Sequence, residues 1–183
     1  MQTLLLVSAL LFVTPAAHAQ AQPQAAQRHP DVIFVPTPQE VVEAMLKLAE
    51  VHKGDVLYDL GSGDGRIPVT AAKKYGIRAI GIDIDPQRIQ EANDNARKNG
   101  VTNLVQFKNE DLFQTKFTDA TVVTLYLLPD LNVKLRPRLL AELKPGTRIV
   151  SHQFDMGTWK PDKKVELSGR TIYLWTVPQP PRK

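Results

Sequence analysis

Short apolar runs alternate along the chain with segments whose apolar residues recur at helical spacing. Short apolar runs bounded by turn residues are typical of buried strands, and the longer periodic segments are typical of amphipathic helices. From residue 37 onwards this pattern predicts an alternating series of helices and strands. The predicted helices cover 38–51, 66–75, 86–99 and 131–143, and the predicted strands cover 55–60, 78–84, 105–109, 120–128, 147–154, 163–168 and 171–178.

Local sequence chemistry predicts where several of these elements begin and end. Thr37 is the predicted N-cap of the first helix, with Pro38 in the first turn and Glu40 closing a capping box. Asp85 before a proline predicts a second helix start. Residues 120–128 form a continuous apolar run with one tyrosine, which is typical of a strand covered on both faces. Pro137 predicts a kink or a restart within the last helix.

The order of these elements predicts the fold class. Strands that alternate with helices imply a parallel, doubly wound sheet. The last two strands are joined only by Ser168-Gly169-Arg170, which is too short for a parallel crossover, so this pair is antiparallel. We therefore predict an α/β fold: a single Rossmann-like domain with a seven-stranded sheet, mostly parallel, with an antiparallel C-terminal strand. A chain of 183 residues suffices for one such domain.

A glycine-rich turn follows the first strand, in the run Asp59-Leu60-Gly61-Ser62-Gly63-Asp64-Gly65. Glycines remove the side chains that keep a ligand away from the backbone, and ligands of open α/β sheets bind where strands end. Asp83 ends the second strand, where an acid accepts hydrogen bonds from ribose hydroxyls. Together these features predict a site for a nucleoside-containing ligand.

The glycine spacing excludes two well-known phosphate-binding motifs. The dinucleotide fingerprint G-x-G-x-x-G fails, because Arg66 occupies the position of the third glycine. A phosphate-cradling P-loop also fails, since no Gly-Lys-Ser or Gly-Lys-Thr follows the turn.

Four motifs, in the runs F-V-P-T-P, D-L-G-S-G-D-G-R, L-Y-L-L-P-D-L-N and S-H-Q-F-D-M-G-T-W, carry a family resemblance between Phe34 and Pro178. The glycine turn resembles motif I of the class I S-adenosylmethionine (SAM) methyltransferases, whose seven-stranded sheet also has a reversed last strand. The four motifs together resemble the small lysine methyltransferases related to the mitochondrial enzymes that modify the ATP synthase c subunit and the adenine nucleotide translocase. The resemblance implies a SAM-dependent enzyme that methylates a lysine of a protein. Bacterial members need not share the mitochondrial targets.

The resemblance also implies which residues contact SAM. Thr37 is placed to reach the methionine carboxylate, although its predicted capping role explains it equally well. The other implied contacts are Gly61, Ser62 and Gly63 with the methionine moiety, Asp59 with its ammonium group, Asp83 with the ribose, Ile84 with the adenine ring, Asp111 with the adenine amino group and Leu112 with adenine through its backbone.

Residues on the acceptor side of the predicted site have two interpretations each. Tyr126 and Asp155 are candidates to take or orient the proton of the acceptor amine, while the Tyr126 hydroxyl could equally bond to backbone. His152 lies near a strand end and is a candidate for the substrate side, although a lone histidine is more often structural than catalytic. Trp159 could flank an alkylammonium group by a cation–π contact or could serve in packing.

Composition narrows the classes of ligand and partner. The chain has no cysteine, which excludes disulfides, thiolate metal sites and a cysteine nucleophile. It also lacks a basic stripe interleaved with aromatic residues and the N/D-P-P-Y/F signature of enzymes that methylate nucleobases. The net charge of +4 comes from residues 160–183, which we interpret as a solvated edge hairpin and a basic tail. We predict a protein substrate, possible association of that substrate with a membrane, no nucleic acid and no metal.

The N-terminus predicts a targeting segment. Leu4 to Val13 is an apolar run, and Ala17-His18-Ala19 is a cleavage signature before Gln20. The uncharged stretch 3–17 would span about 22 Å as a helix, which is shorter than a bilayer core. We predict a signal peptide at 1–19, a flexible linker at 20–30, the methyltransferase domain at 31–183, and export to the periplasm. The alternative is a domain on the cytoplasmic face of the membrane, held by an uncleaved segment.

Export would separate the protein from cytoplasmic SAM, which raises a second functional hypothesis. In that alternative the chain is an exported, non-catalytic protein that binds SAM or another nucleoside and keeps the methyltransferase fold without turnover. The intact glycine turn with Asp83 and Asp111 favours the enzyme.

Overall fold

The computed structural model of the chain describes residues 33–179. Helices and strands alternate through this part of the chain. The helices are α1 (Gln39–Leu48), α2 (Arg66–Tyr75), α3 (Pro86–Asn99) and α4 (Pro129–Glu142), and the strands are β1 (Val56–Leu60), β2 (Arg78–Asp83), β3 (Val105–Asn109), β4 (Val122–Leu125), β5 (Arg148–His152), β6 (Lys163–Leu167) and β7 (Arg170–Thr176).

The seven strands form one sheet in the order β3-β2-β1-β4-β5-β7-β6. Strands β1 to β5 pair in parallel, whereas β7 runs antiparallel to both β5 and β6. Ser168 and Gly169 both have positive φ in the β6–β7 turn, as a two-residue hairpin turn requires. The predicted seven-stranded sheet with an antiparallel C-terminal strand is therefore confirmed.

Helices cover both faces of the sheet, and the period of two along each strand divides the core between them. On β4, Val122 packs with residues of α1 and α2, whereas the next residue, Val123, packs with residues of α4. The helices α1, α2 and α3 thus form one layer, and α4 covers the other face. On β1, β4 and β5, alternate residues share the face of Val122, which is the face covered by α1. Polar residues with this phase at the carboxyl ends of these strands therefore face the α1 layer.

Three local predictions differ from the structure. Helix α1 begins at Gln39 with Pro38 as its N-cap, so the predicted capping box is wrong, because the Thr37 hydroxyl lies 3.2 Å from Nδ1 of His152 instead. Strand β4 ends at Leu125, because the chain leaves the sheet there to enter α4. Pro137 lies inside α4, which continues through it, so the predicted restart does not occur and the predicted kink stays a prediction.

The predicted signal peptide at 1–19 and linker at 20–30 lie outside the described residues, so both stay predictions. The predicted domain, 31–183, is described from Ile33 to Gln179. Within that range, no helix has the length and apolar character needed to cross a membrane.

A buried ion pair ties β5 to the segment after α1. The guanidinium of Arg148 donates to the carboxylate of Asp55 and to the backbone oxygens of Ala49 and Glu50, at 2.8 Å and 3.0 Å. Asp55 has a side chain that is 2% exposed. Burial raises its pKa, but hydrogen bonds from the His52 backbone and from Thr121, together with the Arg148 charge, outweigh burial and leave the pKa lowered.

We expect Arg148→Met to lower the free energy of unfolding by about 3 kcal/mol, because it leaves the Asp55 carboxylate buried without its counter-charge. Arg78→Met is the matched control. It breaks an ion pair with Asp119 in which both side chains are about half exposed, and it should cost less than about 1 kcal/mol. Urea denaturation at pH 7 measures the free energy of unfolding of both variants. Equal losses would contradict a larger stabilising role for the buried Arg148–Asp55 ion pair.

Candidate functional site

The glycine turn brings the backbone of β1 against the end of β2. The N–H groups of Gly61 and Ser62 both donate to the carbonyl of Ile82, at 2.8 Å and 2.9 Å. Gly61 has φ +89°, and a Cβ there would approach the Leu127 side chain to 2.9 Å. A residue with a side chain would therefore be strained at this position and would push Leu127 out of place.

A cleft opens above this turn, at the carboxyl ends of β1, β2 and β4. It is lined by nine of the residues predicted from the sequence: Thr37, Asp59, Gly61, Ser62, Asp83, Ile84, Asp111, Leu112 and Tyr126. The structure thus brings most of the predicted cofactor residues, together with the acceptor candidate Tyr126, into a single concave site. Such a site at the ends of parallel strands is where open α/β sheets bind ligands.

Asp83 connects the glycine turn with the start of α3. Its two carboxylate oxygens accept hydrogen bonds from the backbone N–H groups of Gly63, at 2.8 Å, and Asp85, at 2.9 Å. Burial raises the pKa of Asp83, although both backbone donors act in the opposite direction. A carboxylate has more than one lone pair on each oxygen, so Asp83 keeps the capacity to accept further bonds from a ligand in the cleft.

Asp59 is a buried carboxyl group beneath the turn. It is 2% exposed and accepts a 2.7 Å hydrogen bond from the Thr124 hydroxyl, its neighbour in register on β4. Its pKa is raised to about 8: burial is the largest cause, the charges of Asp83 and Asp64 add to it, and the Thr124 hydrogen bond acts in the opposite direction. An isolated carboxylate at such a position is unfavourable unless a positive charge lies beside it.

One wall of the cleft comes from the segment that follows β3. The Asp111 carboxylate accepts a 2.9 Å hydrogen bond from the Phe113 N–H. Leu112 and Phe113 add apolar surface to the cleft, which Ile84 at the end of β2 also lines. Apolar surfaces together with an acid suit a flat ring that carries a hydrogen-bond donor.

The opposite wall comes from the segment 33–37, which lies across the glycine turn. The Phe34 ring covers Gly63, where a Cβ would fall 2.2 Å from a ring carbon, and the Arg88 guanidinium lies 4.8 Å from the ring centroid. Gly63 therefore lies beneath Phe34 instead of lining the cleft, and it contributes its N–H to Asp83. Arg66 donates to the Thr37 carbonyl at 2.9 Å and fixes this segment to α2.

Tyr126 forms the cleft wall that is nearest to β5. Its ring centroid lies 4.0 Å from that of His152 and 6.3 Å from that of Phe154. His152 is fully buried behind this wall, and burial, with the charge of Arg170, lowers its pKa to about 4. His152 is therefore neutral at pH 7 and does not line the cleft.

Two predicted acceptor-side residues do not reach the cleft. The Asp155 carboxylate accepts a 2.9 Å hydrogen bond from the Gly157 N–H and so stabilises a surface turn. The Trp159 ring packs 6.0 Å from that of Trp175, and the Trp159 carbonyl accepts from the Trp175 indole. The packing alternative for Trp159 thus describes its position.

Sequence reasoning missed several residues at the cleft. Phe34 begins the F-V-P-T-P motif and Arg66 ends the D-L-G-S-G-D-G-R motif, so for these two residues the sequence does carry a signal. Arg88 and Phe113 had no such signal, because their positions depend on contacts that the sequence alone does not reveal. Among residues 33–179, no cluster of His, Asp and Glu has the arrangement to hold a metal ion.

Comparisons with known proteins place this geometry in a family. The model of the ANTKMT methyltransferase domain matches residues 59–163. A protein-lysine N-methyltransferase of Saccharolobus islandicus is 44% identical over 81% of this chain and 95% of its own length. The Homo sapiens lysine N-methyltransferase of the ATP synthase c subunit is 32% identical over 82% of this chain, which spans only 60% of the human protein.

A crystal structure of an RNA methyltransferase from Salinibacter ruber, in complex with S-adenosyl-L-homocysteine, is 55% identical. The match covers 81% of this chain and 97% of that chain, with a TM-score of 0.79. S-adenosyl-L-homocysteine is what SAM becomes when it has given up its methyl group. The predicted class I methyltransferase fold and the predicted cofactor, SAM, are thereby confirmed.

Because the pKa of Asp59 is raised, we expect the affinity for SAM to depend on pH. Below pH 8 the free protein holds Asp59 largely protonated, and only its carboxylate attracts a cation. We expect the affinity for SAM, taken relative to that of Asp59→Asn, to increase from about pH 6 to about pH 8, by up to about tenfold per pH unit, and then to level off. Binding should release a proton in the same range.

Calorimetric titration with SAM measures this effect, with Asp59→Asn as the control. The amine of SAM titrates near the same pH, so the quantity to compare is the ratio of the two proteins' affinities at each pH, in which the ligand's own titration cancels. A ratio that stays constant with pH, or falls as the pH rises, would contradict a role for Asp59 beside the cationic ligand.

Proposed function

The chain belongs to the ANTKMT methyltransferase family, and from this premise we propose that it transfers a methyl group from SAM to the side-chain amine of a lysine in a protein. The observation that carries the proposal is the composition of the cleft, which joins acids that favour cations to an apolar and aromatic wall. Both the cofactor and a lysine are cations in water, and in this proposal the apolar wall receives the acceptor.

Several residues are suited to hold the methionine part of SAM, which supplies an electrophilic methyl group on a positively charged sulfur. Once the Asp59 carboxyl group is ionised, it would accept a hydrogen bond from the ammonium group of the cofactor. The hydroxyl of Ser62 is buried at the cleft without a hydrogen-bond partner, so a ligand there would satisfy it. The Thr37 hydroxyl lines the same end of the cleft.

The adenosine part fits the other end of the cleft. Asp83 would accept from the ribose hydroxyls, since its position is fixed by two backbone N–H groups. Ile84 and Leu112 would cover the two faces of adenine, and Asp111 lies at the edge between them. Fixed acceptors of this kind orient the cofactor without reorganising when it binds.

The acceptor side of the cleft is suited to a neutral amine. A lysine amine has an ordinary pKa near 10.4, and it must lose its proton to attack. Tyr126, Leu127 and Leu131 form a largely apolar wall, which disfavours the charged form of an amine brought against it. We propose that these residues align and desolvate the amine, whose proton leaves to solvent.

The electrostatics of the cleft favour a lysine over a nucleic acid. Six acids line the cleft, and only two arginines accompany them. Arg66 is paired with Asp64, and Arg88 is paired with Asp85 and Glu91, so neither charge is available for a phosphate. A polyanion gains affinity from unpaired lysines and arginines, and this cleft has the opposite charge balance.

The acceptor is a protein and not a small molecule in this proposal, because the cleft is open. Apart from the sheet and its four helices, residues 33–179 form only short connecting segments, and none builds a separate substrate domain. A small molecule gains affinity from burial on most sides, whereas a side chain on another protein brings its own surface to the contact.

Labelling with tritiated SAM tests the acceptor. We expect the purified protein to transfer label to protein, in membrane or soluble fractions of the source cells, and mass spectrometry to place it on lysine. Asp83→Ala should lose at least about tenfold in SAM affinity and most of the labelling, because the ribose hydroxyls would lose their acceptor. Asp119→Asn, at a half-exposed carboxylate outside the cleft, is the control and should behave as the unmodified protein.

Parallel arms distinguish the other outcomes of this experiment. Label that is released by ribonuclease and survives protease would identify RNA as the acceptor and reject the proposal. Binding of SAM without transfer to any fraction would favour the non-catalytic alternative.

For the N-terminal segment we propose cleavage before Gln20 and export, on the basis of the apolar run and the Ala17-His18-Ala19 signature. N-terminal sequencing of the protein from fractionated cells is the test. We expect a mature chain that starts at Gln20 in the periplasmic fraction. An intact Met1 in the membrane fraction, protected from external protease, would instead place the domain on the cytoplasmic face.

A further inference from the structure

The acceptor wall depends on two neighbouring strand ends. The parallel register of β4 and β5 pairs Leu125 with Ser151, so the following residues, Tyr126 and His152, are also neighbours. Both side chains face the α1 layer, in phase with Val122 and Val150. Their rings lie 4.0 Å apart at 39°, which is the shortest aromatic contact among the described residues.

His152 makes two different contacts with the walls of the cleft. Its Nδ1 lies 3.2 Å from the hydroxyl of Thr37, which lines the cofactor end, while its ring packs on Tyr126, which lines the acceptor end. The other ring nitrogen, Nε2, is buried and has no hydrogen-bond partner. A buried polar atom without a partner is costly, so a purely structural role would favour an apolar residue here.

The backbone after His152 is also strained. Gln153 has φ +70°, a conformation that residues other than glycine rarely adopt. Hydrogen bonds with Thr171 hold it, from the Gln153 N–H at 2.7 Å and to the Gln153 side chain at 3.3 Å. This turn brings Phe154 back to a stacked position 6.3 Å from the Tyr126 ring. Strain of this kind persists where the surrounding structure enforces it, often at functional sites.

We infer that His152 is a positioning residue for methyl transfer, which fixes the plane of the Tyr126 ring relative to the cofactor end of the cleft. The inference rests on the proposed function, in which Tyr126 aligns the acceptor amine. His152 does not touch the substrate in this arrangement. It acts because one rigid ring links Tyr126 to Thr37, so that the acceptor wall and the donor wall keep a constant separation.

The neutral state of the imidazole suits this role. Burial disfavours its protonation, and the charge of Arg170 adds to that effect. A neutral ring packs against the face of tyrosine without the desolvation cost of a cation. Rate losses from small misplacements are large, since a shift of about 1 Å in a reacting group can cost about a hundredfold.

Two substitutions separate the contacts of His152. His152→Asn keeps a polar atom near the position of Nδ1 and removes the ring, whereas His152→Phe keeps a ring and removes the polar contact. Thermal unfolding first shows that each variant folds. Phe154→Leu is the matched control, because it removes the more distant of the two rings that neighbour Tyr126.

Nuclear magnetic resonance of ring-labelled tyrosine reads the orientation directly, without acceptor or turnover. The chain has four tyrosines, and loss of a signal in Tyr126→Phe assigns Tyr126. We expect shifted, slowly flipping ring signals for Tyr126 in the unmodified protein and in His152→Phe. In His152→Asn the Tyr126 ring should flip fast, so that the signals of its two edges average. In Phe154→Leu the signals should change less. Unchanged signals in His152→Asn would overturn the inference.

Kinetics give the second readout. We expect His152→Asn to lower kcat about tenfold or more, with the Kd for SAM within about threefold of the unmodified value. His152→Phe should lower kcat less than His152→Asn does, because it keeps the ring on Tyr126 and loses only the link to Thr37. In a Tyr126→Leu background, His152→Asn should change kcat by less than about twofold, because the two residues act as a unit. Additive losses, or a Kd for SAM that rises in proportion to the loss in kcat, would overturn it.

The two readouts separate this inference from the proposed function. If the unmodified protein methylates no lysine, the proposed function fails, while the ring signals still show whether His152 orders Tyr126. If methylation occurs and the ring signals do not respond to His152→Asn, the inference alone fails.

Discussion

The hydrogen bond from the Gly63 N–H to the Asp83 carboxylate holds the glycine turn against the end of β2. The same carboxylate accepts from the Asp85 N–H at the start of α3, so one side chain fixes the ends of two elements. A side chain at Gly61 would displace Leu127 from the cleft wall, and Phe34 could not cover the turn with a side chain at Gly63. The shape of the cleft thus depends on one acid and two absent side chains.

Acidity is the second constraint on the cleft, and it has an energetic consequence. Asp59 and Asp83 are both buried deeply enough that burial raises their pKa values, and the charge of Asp83 raises the pKa of Asp59 further. Such a pair is unfavourable in the free protein and becomes favourable beside a cation. At neutral pH the free protein avoids this repulsion by keeping Asp59 protonated, so part of the binding free energy of a positively charged cofactor is used to ionise Asp59.

The sequence predicts those parts of the fold and cleft that depend on local signals. The glycine turn, the N-cap at Asp85 and the hairpin at Ser168-Gly169 are each specified by adjacent residues, and each appears as predicted. The predicted capping role of Thr37 is wrong, because its partner, His152, lies more than a hundred residues away along the chain. Asp155 follows β5 closely enough to suggest a cleft residue, yet its carboxylate turns to the Gly157 N–H. Contacts between distant segments carry no local signal.

The packing of Trp159 on Trp175 determines which part of this protein intrinsic tryptophan fluorescence reports on. These are the two tryptophans of the chain, and their rings lie 6.0 Å apart beside Tyr173, away from the cleft. Intrinsic tryptophan emission therefore follows the loss of structure around β5 and the β6–β7 hairpin, and it is insensitive to a ligand above the glycine turn. Ring signals of Tyr126 follow the cleft instead, so agreement between the two probes during unfolding measures whether the cleft and the hairpin edge of the sheet unfold as one cooperative unit.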